Sequence, residues 1–159
     1  MIKDVAKILV DWPEYSGGMR NVHEFNARIT LPIRLGKAAL LHSDKGDLFF
    51  TWAHLTDVLS DIPTEQDWLA QGPFLWIMDL VYSDGVRAID AMRAVSNNLL
   101  EAGIVKEGDI VLFWRGAHER HGYGRARRRS TNVIWTQDHD HNSRPLLEHA
   151  QLAEGCLSR

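Results

Sequence analysis

The residue types here whose spacing could do chemistry are chiefly acids and histidines; the single cysteine, Cys156, rules out a disulfide framework. The acid in the most demanding position is Asp79, within Gly-Pro-Phe-Leu-Trp-Ile-Met-Asp-Leu-Val-Tyr over residues 72–82. Period-two reading predicts a strand with Leu75, Ile77, Asp79 and Val81 on one face and Phe74, Trp76, Met78, Leu80 and Tyr82 on the other. A carboxyl group among aliphatic side chains is costly to bury without partners. Either an Arg such as Arg28 or Arg34, a His or several N–H donors meet it, making it a structural acid, or desolvation raises its pKa and it does acid–base chemistry.

Other candidate groups have plainer readings. His118, His121, His139, His141 and His149 enrich the second half in imidazole, yet on loop-like sequence and without cysteine partners they read as solvated polar residues, and no metal site is assigned. Arg125, Arg127, Arg128 and Arg129 crowd five positions. They read first as a solvated loop or strand edge, then as a contact for an acidic protein or a phosphate; a net charge of -3 argues against a general nucleic-acid binder. His121-Gly-Tyr-Gly124-Arg-Ala126 has the spacing of a pyrophosphate-binding loop, with His in the first position, but no helix is predicted after it. Coenzyme A is therefore disfavoured.

The elements that must position these groups are mostly legible. Ile2, Val5, Ile8 and Leu9 predict a short helix over residues 2–11. Residues 23–35 are ambiguous, because Phe25, Ala27, Ile29 and Leu31 alternate as a strand would. Residues 37–42 and 48–53 predict a hairpin across a turn containing Gly46. A short helix is expected from His54 to Leu59, and another after Pro63 with acids in its first turn. Ser83 or Asp84 is expected to cap a helix over about 85–101, with Val86, Ile89, Met92, Val95 and Leu99 on its apolar face and Gly103 at its end. Strands are expected at 110–115 and 131–136, with a loop over 122–129 between them. This order predicts an α+β fold, a mixed and mostly antiparallel sheet with helices on its faces.

At 159 residues the chain can bury roughly 70% of its extended surface as one domain. Six tryptophans predict a large aromatic core. No run of eighteen apolar residues predicts a membrane span, the N-terminus carries early charges, and one unpaired thiol suits a reducing, cytoplasmic setting.

Three stretches also carry a likeness. Asp67-Trp68 followed by Trp76-Ile77-Met78-Asp79, Leu31-Pro32-Ile33-Arg34 through Ala38-Ala39-Leu40-Leu41, and Trp52-Ala53-His54-Leu55-Thr56 together resemble the RTX toxin-activating lysine acyltransferases, the haemolysin-activating type, with one extra residue in the first gap. The resemblance runs in order over about residues 1–116. It implies a GNAT-like fold, whose central strand and following helix open a V-shaped site, as a single acyltransferase-like domain over 1–136 with a polar tail over 137–159. It also implies an acyl-carrier protein thioester as donor, a lysine of a second protein as acceptor and no bound cofactor; a homodimer is compatible with it.

The family's base is a His in a Ser-x-x-His pattern, which aligns here with Ser16-Gly17-Gly18-Met19. A thioether takes no proton at neutral pH, so the family mechanism fails at Met19. His23, four residues on, is the nearest imidazole and reaches the same face if the segment is helical. The resemblance then gives His23 and Asp79 as catalytic residues and Ser16 and Asn26 as substrate-binding ones. Two alternatives stay open, a non-catalytic relative acting as a protein-binding module and a coenzyme A-dependent N-acetyltransferase.

Overall fold

The computed structural model describes residues 1, 3–5, 8, 22–57, 62–115 and 120–138. The hairpin expected around Gly46 forms from β1 (Ala38–Ser43) and β2 (Gly46–Leu55), paired antiparallel from Ala38↔Thr51 to Ser43↔Gly46. Gly46 has φ +134°, and a side chain there would also run into Ser83 at 2.6 Å, so the turn and the neighbouring strand end both require glycine. β3 (Phe74–Tyr82) pairs antiparallel with β2. β4 (Ile110–Arg115) runs parallel to β3, β5 (Arg120–Arg125) antiparallel to β4, and the two-residue β6 (Thr136–Gln137) antiparallel to β1. The result is α+β, a six-stranded mixed sheet in the order β5-β4-β3-β2-β1-β6 with helices against it.

Helices follow on both faces. Val22–Phe25 is helical (α1), Asn26–Thr30 widens into a π-turn, and Leu31–Arg34 continues as α2. The strand-like alternation in this segment is thus overridden: Ile29 and Ile33, four apart, both pack on Leu40, Phe49 and Val81 of the sheet, together with Val5 and Ile8 from the N-terminus. Glu65–Leu69 (α3) starts at Thr64 with a reciprocal capping box, Thr64 N–H donating to Asp67 Oδ2 at 2.7 Å and Asp67 N–H to the Thr64 hydroxyl. Ala88–Glu101 (α4) lies on the opposite face, over Leu41, Leu48, Phe50, Leu75 and Ile77.

Several expectations are corrected. α4 begins after an extended Arg87 with no side-chain cap, while Ser83 opens a turn that the Val86 N–H closes and its hydroxyl accepts from the Asp47 N–H at 2.9 Å. Its buried face is Ala91, Ala94, Val95 and Leu99 with Asp90 and Asn98, because two alanines let the helix approach the sheet closely; Ile89 and Met92 fall at the edge, 50% and 36% exposed. His54 and Leu55 extend β2 instead of starting a helix; residues 58–61 lie outside the described residues. The expected loop over 122–129 is a strand up to Arg125, and the expected strand at 131–136 is reduced to Thr136–Gln137, Thr131 making a local turn with Val133 instead. Of the expected helix at 2–11, residues 3–5 and 8 are helical, and the others lie outside the described residues, as does the tail from 139.

Candidate active site

Pro32 organises the site. A proline inside a helix removes one N–H donor and crowds the carbonyl four residues back, and here the chain answers by widening over Asn26–Thr30. The Leu31 N–H donates to the Asn26 carbonyl, five residues away. Ala27 would be next in that pattern, but its partner would be Pro32, which has no N–H. The buried indole of Trp68 supplies the missing donor, Nε1–H to the Ala27 carbonyl at 2.8 Å. Trp68 stays in place because the Thr64 cap fixes the start of α3.

The widened turn forms one wall of a cleft of about 310 Å³, and the chain from Ile62 to Glu65 forms another. His23, Asn26, Thr30, Arg34 and Glu65 line it. Two of its polar atoms, Asn26 Oδ1 and Thr30 Oγ1, are buried with no hydrogen-bond partner among the described residues. Buried polar atoms left this way are uncommon, and each calls for a physical reason. π-turns also gather at functional sites, since the extra residue turns side chains away from the regular helical track.

His23 and Asn26 are therefore brought to one cleft. Ser16 and Met19 lie outside the described residues. Asp79 does not line the cleft. It is 5% exposed and accepts a hydrogen bond from the buried Thr51 hydroxyl at 3.2 Å. Arg28, one candidate for its partner, lies against Glu24 at 3.3 Å.

The strand phase of Asp79 differs from the period-two expectation. β2 and β3 pair as Thr51↔Asp79 but Trp52↔Ile77, so Met78 is an extra residue in a β-bulge. Past the bulge the alternation shifts. Leu75, Ile77, Leu80 and Tyr82 face α4, whereas Trp76, Met78 and Val81 pack on the other face. The shifted phase puts Asp79 and its cross-strand partner Thr51 on that second face, the one carrying α1, the π-turn and α2. β3 and β4 pair over only three residues each, Leu75–Ile77 with Val111–Phe113.

Thr30, Arg34 and Glu65 were not singled out as site residues by the sequence. The signal for Thr30 was present, a polar pair with Asn26 four apart in an otherwise apolar segment just ahead of an in-helix proline. Two other histidines have shifted pKa values. His42 Nδ1 lies 2.7 Å from Asp47 and its Nε2 3.6 Å from Asp138, and the hydrogen bond to Asp47, helped by Asp138, raises its pKa above the ordinary range. His54 is pushed down, by burial first and by Lys37 second. Among the described residues no group of three or more His, Cys, Asp or Glu could hold a metal ion, and no helix is long and apolar enough to cross a membrane.

No family model matches the chain, and neither a curated protein nor a solved structure matches it significantly.

Proposed function

We propose that the chain is a GNAT-like protein-lysine acyltransferase, taking its acyl group from an acyl-carrier protein thioester and similar to the RTX toxin activators. The carrying observation is that His23 and Asn26 share a cleft with two buried polar atoms that lack partners among the described residues. The fold adds support: a bulged central strand, a helix directly after it, and a parallel neighbour paired over only three residues, compatible with strands that part to admit a donor.

In this reading the lysine ammonium, with an ordinary pKa near ~10.4, must lose a proton before it attacks. That proton goes to solvent; as the neutral amine attacks, His23 takes a second one from the nitrogen, and Asn26 Oδ1 accepts the remaining N–H and aims the amine. The new N–C bond forms as the thioester carbonyl becomes an oxyanion, to which the Thr30 hydroxyl donates. Collapse breaks the C–S bond, and the imidazolium returns its proton to the departing thiolate. Asp79, on the same face of the sheet but outside the cleft, takes no proton in this reading.

Transfer by the native chain should be slow, because Met19 stands where the family has its His. With acyl-carrier thioesters of several chain lengths, a cell lysate as acceptor and acyl-lysine read by mass spectrometry, His23→Ala should lower the yield by about 10² to 10⁴-fold. Met19→His should raise it. Transfer indifferent to His23 would overturn the assignment of the base. No transfer by any variant, together with stable capture of one protein, would favour the non-catalytic binding module that the loss of the family's His suggests.

A further inference from the structure

On the opposite face of the sheet a second concavity of about 330 Å³ runs between α4 and the β4–β5 hairpin. Its floor is apolar, made by Ile77, Val95, Leu99, Val111 and Phe113. Phe113 lies flat there because Gly122 on the neighbouring strand has no side chain; a Cβ at that position would overlap the ring. Ile89 and Met92, the half-exposed residues of α4, form one lip.

The mouth is cationic. Arg93, Arg125 and Arg129 line it, and no described lining residue is acidic. Their backbone is held in place: Ser96 and Asn97 of α4 bind the main chain of Arg127 and Arg129 through both donor and acceptor, at 2.8–3.1 Å. None of the three forms an ion pair with a described carboxylate, although Arg125 donates to the Gly108 carbonyl at 3.0 Å and Asp90 feels the charge of Arg93, while the adjacent Arg128 turns toward Glu101. An apolar trough opening on three such guanidinium groups complements a molecule with a hydrocarbon tail and a negative head.

We propose that this groove binds a single-chain anionic amphiphile, a fatty-acid carboxylate in its simplest form, with the tail on Phe113 and Leu99 and the head at Arg93, Arg125 and Arg129. The site is separated by the sheet from the cleft of His23 and does not depend on the acyl-transfer reading.

The test is titration of the full chain with decanoate, decanol and decyltrimethylammonium, followed by calorimetry and by methyl NMR of Ile89 and Met92. Decanoate should bind, shift both methyl signals and lose affinity with added salt; decanol should bind more weakly and the cation not at all. Arg93→Gln/Arg125→Gln/Arg129→Gln, three surface changes, should weaken decanoate about tenfold or more while leaving decanol unchanged. Met92→Glu should abolish binding of both. Equal binding of all three probes, indifference to the arginine changes, or shifts confined to the His23 cleft would each overturn the proposal.

Discussion

At the scale of single residues, buried polar groups are distinguished by whether they have been given partners. The carboxyl of Asp79 has the hydroxyl of Thr51, itself fully buried, across the bulge. Thr51→Val keeps the shape and removes the donor, so it should destabilise the fold by about 1–3 kcal/mol, measured by urea denaturation. Asn26 and Thr30 are the contrasting case, with Oδ1 and Oγ1 buried and unmatched among the described residues. Thr30→Val should therefore cost little stability, or even add some, and should lower acyl transfer instead. A large loss of stability with unchanged transfer would make Thr30 a structural residue.

At the scale of elements, the π-turn and α3 stand or fall together. The Trp68 indole substitutes for the N–H that Pro32 lacks, and the capping box at Thr64 sets where Trp68 enters the core. Trp68→Phe leaves most of the apolar volume but orphans the Ala27 carbonyl, for an expected loss of about 1–3 kcal/mol. Thr64→Ala removes the cap and should cost about 0.5–2 kcal/mol. Both losses can be read by thermal unfolding, and both should reduce acyl-lysine formation because each moves a wall of the cleft. Gly122→Ala should act on the other face, displacing Phe113 and weakening decanoate binding without touching the His23 cleft.

For the whole molecule, two histidines on neighbouring strands bias stability in opposite directions of pH. His42, raised by Asp47 and Asp138, helps hold β6 to the hairpin, and Asp138 N–H also donates to the Leu40 carbonyl at 2.9 Å. Its contribution is full below the unfolded value near ~6.5 and is lost as pH rises through the raised folded value. His54, lowered by burial, works the other way: the unfolded chain takes the proton first, so stability falls as pH drops below about 6.5 toward the depressed folded value. Unfolding midpoints across pH 5–8 should peak near the unfolded imidazole value of ~6.5. His42→Gln should flatten the alkaline side and His54→Gln the acid side; a profile unmoved by either variant would disprove the assignment.

Local signals in the chain were sufficient for the hairpin, β3, β4, α3 and α4, because a glycine turn, a long apolar run, acids in a first helical turn and helical spacing each act over a few residues. They also brought His23 and Asn26 forward, though on a likeness in sequence and not on geometry. Tertiary packing decided the rest. The bulge at Met78 depends on how β2 and β3 register, which no single strand encodes, and it alone moved Asp79 to the face of the helical segment. Arg120–Arg125 is polar and glycine-rich, and it became a strand because β4 offered an unpaired edge. Ile89 and Met92 looked like core by spacing, but Ala91 and Ala94 fit closer to the sheet and rotated them outward. Pro32 announced a disturbed helix; that an indole thirty-six residues later would complete it, and that the widened turn would bury Asn26 and Thr30 beside a cleft, required the sheet to bring both segments together.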